Sequence, residues 1–224
     1  MSTQRLAAAL TLAISTLVAF APANAAIIVA DTVINFSNSG ANPSFPTGSY
    51  GGTFPGSFPV VAPLSHATDG LATTFVSLPT GSSITLGFSG GFVFDGPGLD
   101  LFVSEVGGSD ELADIFISSD SGSSFTLLGQ ATTATVSGFD FANIGFIGNV
   151  NAVKVVGLDN LGGSPGFDLA FVQGLEGSVV INPTPVPVPV PEPASFALMA
   201  IGALSVAASR KRRARSQAAK QAAY

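Results

Sequence analysis

Short stretches rich in β-branched and aromatic residues recur through the middle of this chain, and they constrain its fold more than any other feature. Several of them alternate apolar with polar residues, and clusters of Gly, Ser, Asp, Asn or Pro separate them. No segment between Ala26 and Ile181 shows a helical period. The runs are IIVADTVINF, TTFVSL, SITLGF, LDLFVSE, ADIFISS, SFTLLG, NAVKVVGL and FDLAFVQGL.

This spacing predicts an all-β fold, a jelly-roll-like β-sandwich over residues 26–181. The chain has 224 residues, 46% of them apolar, which is enough for one domain with a core and for extensions at both ends. The composition of 18 Phe, no Trp and no Cys predicts a Phe-rich core without disulfides or zinc–thiolate sites.

Residues 38–64 are different, because they are crowded with Gly, Pro, Ser and Phe and show no period. This segment is predicted to be a long loop or a latch. Phe45, Phe54 and Phe58 either pin it to the sandwich or stack on a sugar ring.

The N-terminal end has the features of a secretory signal peptide. Arg5 precedes an apolar run, and the small residues Ala23 and Ala25 stand where signal peptidase cuts. Residues 1–25 are therefore predicted to be removed on export.

The C-terminal end has three parts. Residues 182–193 alternate Pro with other residues and predict a stiff extended stalk. Residues 194–209 are apolar, somewhat short for a bilayer, and predict a single transmembrane helix. Residues 210–224 form a basic tail expected on the cytoplasmic side, with the membrane-flanking cations Arg210, Lys211, Arg212, Arg213 and Arg215. The alternative for this end is a surface helix or a basic tail without a membrane span.

Val190-Pro191-Glu192-Pro193, followed directly by an apolar run and an arginine cluster, resembles the PEP-CTERM sorting signal. The resemblance implies processing by an exosortase in a Gram-negative-type bacterium. It also implies an inner-membrane-anchored precursor that is destined for the cell surface or an extracellular polysaccharide matrix.

The body resembles other families in two places. The stretch HATDGLATTFVSL is similar to the opening of discoidin-like or galactose-binding-like jelly rolls, through Ala67, Asp69, Gly70, Thr74 and Phe75. FDGPGLDLFVSE and GFDLAFVQGLEG resemble paired stretches of secreted PEP-CTERM proteins of this sandwich type. The second stretch usually reads Phe-Asp-Leu-Asp, whereas this chain has Ala170 at the last place.

Charge is strongly segregated along the chain. Between Ala26 and Pro193 there is one basic residue, Lys154, against all 14 acidic residues. Such a body repels phosphate backbones, so nucleic-acid binding is not expected. Acidic oxygens suit calcium, and Asp69, Asp95, Asp100 and Asp168 are the candidate ligands of a structural ion. The alternative is that these carboxylates are simply solvated.

Few features predict catalysis. His66 is the sole histidine, and a Ser-His-Asp arrangement would need its sequence neighbours Ser65 and Asp69. The stretch SSDSGSSF, Ser118 to Phe125, resembles an Asp-box and is predicted to form a structural hairpin turn.

The sequence thus predicts an exported, non-enzymatic surface or matrix protein associated with exopolysaccharide or biofilm. Two other functions remain open: a secreted carbohydrate-active hydrolase that uses a carboxylate pair, and a structural matrix protein without a ligand.

Overall fold

The computed structural model describes residues 26–107, 110–132 and 136–182. The predicted signal peptide with Ala23 and Ala25, the sorting motif and the stalk after Asn182, the apolar run 194–209 and the basic tail 210–224 lie outside the described residues. Within the described ranges, no helix is both long and apolar enough to cross a bilayer.

Strands account for almost all the regular structure of these ranges. The strands are β1 Ile28–Val29, β2 Thr32–Ser37, β3 Tyr50–Thr53, β4 Val60–Val61, β5 Thr74–Leu78, β6 Ser83–Gly87, β7 Gly91–Phe94, β8 Leu101–Glu105, β9 Ala113–Ser118, β10 Thr126–Ala131, β11 Val136–Phe139, β12 Asn149–Val150, β13 Ala152–Gly157, β14 Phe167–Gly174 and β15 Val179–Ile181. Two short 3-10 turns, Leu64–Ala67 and Phe141–Ile144, complete the described structure.

The strands form three sheets. The first has the order β11-β8-β14-β5-β3-β4, with β1 also paired to β14, and the second has the order β10-β9-β13-β6-β2. A small third sheet has the order β12-β7-β15. All the pairings are antiparallel.

The main core lies between the first two sheets. Every second residue of a strand faces it, as a period of two requires; in β9, Ala113, Ile115 and Ile117 are buried while Asp114 and Phe116 are half-buried. The first sheet contributes Val76, Leu78, Leu101, Val103, Leu169 and Val172, and the second contributes Ile84, Leu86, Ile115, Ile117, Val153 and Val155. The predicted all-β sandwich is confirmed.

The outer face of the first sheet is also covered. Phe75, Val106 and Ala170 form a second apolar cluster, with Phe171 packed against it. Part of the 38–64 segment lies over this face, since the Phe58 ring meets the Phe75 ring edge-on, with 5.9 Å between the ring centroids. We refer to residues 38–64 as the latch.

That segment also contains two strands, β3 and β4, which the sequence did not indicate. Gly51 allows β3 to pair with β5, because a Cβ at this position would lie only 2.2 Å from the Phe75 carbonyl oxygen. Gly has little intrinsic strand preference, so the pairing depends on close backbone approach rather than on a local pattern.

Candidate functional site

Two adjoining clefts open beside the end of β8. The narrower cleft, about 180 Å³, has Phe54, Phe58 and Phe75 on one side and Glu111 and Asp168 on the other. The wider cleft, about 470 Å³, is mainly apolar and has Glu105 among its lining residues. Both clefts share one wall, which consists of Phe54, Val106 and Gly107. We refer to the pair as the Phe54 clefts.

Two aromatic rings stand at the rim. Phe54 is 52% exposed and Phe58 is 38% exposed, and their ring centroids lie 6.1 Å apart. Phe58 is held from below by Phe75, which is fully buried. The latch therefore fixes one ring and presents the other to solvent, an arrangement that suits contact with the flat apolar face of a ligand. Phe45 does not take part, because its ring stacks on Tyr50 at 4.7 Å.

Three acidic side chains lie beneath the rim. Glu105, Glu111 and Asp168 are 3%, 1% and 6% exposed, which is unusual for carboxyl groups. They come from the end of β8, the following loop and the start of β14. Lys154, the sole basic side chain of the described residues, is in β13 of the other sheet, so no lysine or arginine of these ranges pairs with Glu105.

Asp168 is held by Ser77, which in turn contacts Ser164. Ser77 Oγ donates a hydrogen bond of 2.5 Å to Asp168 Oδ1, and it also lies 2.7 Å from Ser164 Oγ. Asp168 and Ser77 are direct cross-strand partners. Burial raises the pKa of Asp168 to about 9, against the opposing effect of the Ser77 bond, and Glu111 and Glu105 add to the rise.

The Glu105 and Glu111 carboxyls lie close enough to affect each other's ionisation. Neither Glu105 oxygen accepts a hydrogen bond from an N–H or O–H group of the described residues. Burial, followed by the contact with Glu111, raises the pKa of Glu105 to about 8. Burial also raises the pKa of Tyr50, whose hydroxyl donates to the Pro165 carbonyl.

A second acidic group lies elsewhere in the described residues. Carboxylate oxygens of Asp95, Asp100 and Asp140 come within 4.8 Å of one another. Asp100 is fully buried, and its two oxygens accept from Gly96 N at 2.8 Å, Phe141 N at 2.7 Å and Ser178 Oγ at 2.5 Å. These donors stabilise the carboxylate without a metal ion.

The four aspartates predicted to share an ion occupy three places. Asp95 and Asp100 come together, whereas Asp168 is with Glu105 and Glu111. Asp69 is in an exposed turn, where it accepts hydrogen bonds from Thr74 Oγ1 at 2.7 Å and Leu71 N at 2.9 Å. Calcium binding by the chain stays a prediction, but one ion cannot contact all four residues in this arrangement.

The Asp-box-like stretch is a turn between β9 and β10, which pair antiparallel. Asp120 accepts from Ser118 Oγ at 2.8 Å, Ser124 N at 2.8 Å and Ser124 Oγ at 2.6 Å. The Ser124 hydroxyl, with the other donors, lowers the pKa of Asp120 to about 2. The predicted structural hairpin is confirmed.

His66 is part of the 3-10 turn Leu64–Ala67. Its Nδ1 atom is buried and has no hydrogen-bond partner among the described residues. Neither Ser65 nor Asp69 therefore bonds to this nitrogen, and the orienting contact of a Ser-His-Asp triad is not formed there.

Sequence reasoning identified Phe54, Phe58 and Asp168 but missed Glu111. An acidic residue shortly after a Gly-rich turn ordinarily indicates solvent exposure, so nothing local predicts that Glu111 is buried.

The PEP-CTERM protein-sorting motif matches residues 189–213, which confirms the sequence resemblance at the C-terminal end. The chain thus carries a protein-sorting signal. No curated protein sequence matches the chain significantly.

Solved structures that align with part of this chain include CBM32 domains. Truncated AlyQ, with CBM32 and alginate lyase domains, aligns with a TM-score of 0.41 at 13% identity over 69% of this chain and 34% of that one. The chain thus spans about a third of that protein. The C-terminal domain of a chitobiase from Bacteroides fragilis aligns with a TM-score of 0.42 at 15% identity, over 66% and 94% of the two chains. The CBM32 of AlyQ in complex with 4,5-unsaturated mannuronic acid aligns with a TM-score of 0.40 at 14% identity, over 65% and 96%.

Proposed function

We propose that this chain is an exported surface protein whose sandwich body binds extracellular polysaccharide through the Phe54 clefts, without catalysis. The sorting motif at residues 189–213 supports delivery to the cell envelope. The predicted signal peptide, with its cut after Ala25, supplies the route across the inner membrane. An exosortase and a signal peptidase would then be the processing partners, and the apolar run 194–209 would anchor the precursor.

One observation carries the binding proposal: exposed Phe54 and partly exposed Phe58 stand over buried carboxyl groups in a concave site. A sugar ring has an apolar C–H face and a rim of hydroxyl groups, so it needs an aromatic platform together with hydrogen-bonding groups. Glu111 and Asp168 are among the residues that line the same cleft as the rings. The Asp168 carboxyl, whose pKa is raised to about 9, is neutral at pH ~7 and can both donate to and accept from a hydroxyl group.

The Glu105 and Glu111 pair does not suit glycoside hydrolysis. Hydrolases hold their two carboxyl groups about 5 Å or more apart, to leave room for the sugar or for water. Glu105 and Glu111 are instead buried side chains that interact with each other.

The test uses residues 26–182. Every described strand and both apolar clusters lie within this range, so it contains the complete core. Binding to the host's own extracellular polysaccharide is measured by affinity electrophoresis, and reducing ends are assayed in parallel. We expect retardation of the protein without release of reducing ends.

Phe54→Ala, combined with Phe58→Ala, is expected to weaken binding by about tenfold or more, because each ring offers a stacking surface. Leu127→Ala is the matched control, since Leu127 is similarly exposed, at 51%, but lies in β10 of the other sheet. Equal retardation of the double variant and the wild type would contradict the assignment of the cleft. Release of reducing ends would instead favour the hydrolase.

A further inference from the structure

We infer that Glu105 and Glu111 together bind a divalent metal ion of the calcium type at the inner wall of the Phe54 clefts. This site differs from the set of four aspartates that the sequence suggested. The inference does not depend on polysaccharide binding, and its test is separate.

The first step is the position of the two carboxyl groups. Both side chains are almost completely buried, and their carboxyls lie close enough to affect each other's ionisation. Glu105 offers two oxygens that receive no hydrogen bond from any described N–H or O–H group. A buried carboxylate oxygen without a donor is costly, so these two oxygens need a positive partner or a proton.

The second step concerns what can supply the positive charge. Lys154, the sole basic residue of the described ranges, has its Nζ atom 4.9 Å from the Phe116 ring centroid and 4.3 Å from that of Phe125. The Lys154 ammonium group therefore already interacts with two aromatic rings at the second sheet. Two facing carboxyl groups can share a single proton, or they can ionise together around a cation from outside.

The third step is the ligand chemistry. The groups at this site offer only oxygen atoms, because the chain has no Cys and its sole His is in the Leu64–Ala67 turn. Oxygen ligands favour calcium or magnesium over zinc or copper. Calcium tolerates irregular geometry and a mixture of carboxylate, carbonyl and water ligands, whereas magnesium demands a near-ideal octahedron.

The fourth step is access. Glu105 is one of the residues that line the wider cleft, and Glu111 is one of those that line the narrower cleft. Gly107 lets the Glu105 carboxyl lie directly against an exposed part of the backbone, because a Cβ there would lie 2.6 Å from Glu105 Oε1. An ion therefore has to pass only this thin wall to reach the carboxyl.

The Asp95, Asp100 and Asp140 group serves as the internal comparison. The Asp100 carboxylate already accepts three hydrogen bonds from N–H and O–H donors. It has less need of a cation than the Glu105 carboxylate, which accepts none from the described residues.

Isothermal titration calorimetry of residues 26–182 with calcium chloride, after treatment with chelator, tests the inference. We expect one calcium ion per chain, weaker binding of magnesium, and a higher melting temperature in calcium. Glu105→Gln and Glu111→Gln should each weaken calcium binding by more than about tenfold, since each removes a charged ligand. Both variants preserve the shape of the protonated side chain, and their melting temperatures in chelator confirm folding.

Asp95→Asn is the matched control, since it removes a charge from the other acidic group and should leave the affinity for calcium unchanged. Loss of binding in Asp95→Asn with full binding in Glu105→Gln would overturn the inference. The absence of calcium binding by the wild-type protein would overturn it as well.

Discussion

Asp100 and Ser178 lie 78 residues apart in sequence, yet the serine hydroxyl donates a 2.5 Å hydrogen bond to the aspartate inside the protein. The same carboxylate accepts from the backbone of Phe141 and of Gly96. Three separate segments thus meet at one buried side chain, which joins the first sheet to the turns around it.

Replacement of Asp100 by Ala should therefore be strongly destabilising. It leaves the Phe141 N–H and the Ser178 hydroxyl without their acceptor in a buried environment, and we expect a loss of about 3 kcal/mol in the free energy of unfolding. Urea denaturation measures this loss. Asp95→Asn changes an exposed neighbour and should stay within about 0.5 kcal/mol of the wild type. A similarly small loss in Asp100→Ala would show that water replaces the carboxylate.

The pKa of Asp168, raised to about 9 mainly by burial, predicts that alkaline pH destabilises the protein in chelator. The unfolded aspartate titrates near pH ~4, so between about pH 4 and pH 9 the folded state holds a proton that the unfolded state has lost. The stability contributed by this proton is complete below pH ~4 and disappears as the pH rises through the folded pKa. The slope is at most about 1.4 kcal/mol per pH unit for this group.

Asp168→Asn should flatten this slope and raise the melting temperature at pH 8, because the amide keeps an acceptor for Ser77 and cannot ionise. Thermal melts at several pH values between 5 and 9 give the comparison. Glu176→Gln, at an exposed position, should keep the wild-type slope. A slope unchanged in Asp168→Asn would mean that this carboxyl is already ionised in the folded protein.

Gly51→Ala should separate the latch from the sheet. The new methyl group would clash with the Phe75 carbonyl oxygen at 2.2 Å, so β3 could no longer approach β5. We expect a loss of about 3 kcal/mol in the free energy of unfolding, together with faster hydrogen exchange of the Phe54 amide, which donates to the Thr73 carbonyl across this edge at 2.7 Å. Gly90→Ala, where no atom lies within 4 Å of the added methyl group, is the control and should be close to neutral. Unchanged protection in Gly51→Ala would contradict the pairing.

Lys154 should contribute to stability through two aromatic rings. It is the direct cross-strand partner of Phe116, and Phe125 lies on its other side. Lys154→Met removes the charge but keeps most of the apolar stem, so a loss of about 1 kcal/mol in urea denaturation would report the cation–π contribution. Lys154→Arg should retain most of it. Equal stability of the Met variant and the wild type would assign the contact to packing alone.

The sequence predicted the sandwich well because each of its longer strands is rich in β-branched and aromatic residues, a pattern that is readable locally. All eight runs that alternate or concentrate β-branched residues coincide with strands, from β1 and β2 to β14. It did not predict β3, because Tyr-Gly-Gly-Thr has no such pattern and pairs only where glycine permits close approach.

The candidate site was harder to predict, since its residues are brought together by tertiary structure. The sequence did single out Phe54 and Phe58, because they are aromatic residues in a Gly- and Pro-rich segment. The burial of Glu111 and its contact with Glu105 depend on how the chain returns after β8, which no local spacing encodes. For the same reason, four aspartates that look equivalent along the chain occupy three different places.

The final strand decides how the folded body would respond to mechanical tension on its C-terminal end. A pull applied beyond Asn182 first loads the 2.8 Å bond from Asn182 N to Gly90 O, and then the β15–β7 ladder from Ile181 back to Val179. Rupture would next reach Ser178, which Asp100 holds from within. We therefore expect β15 to detach from β7 first under hydrodynamic drag, while the two main sheets stay folded.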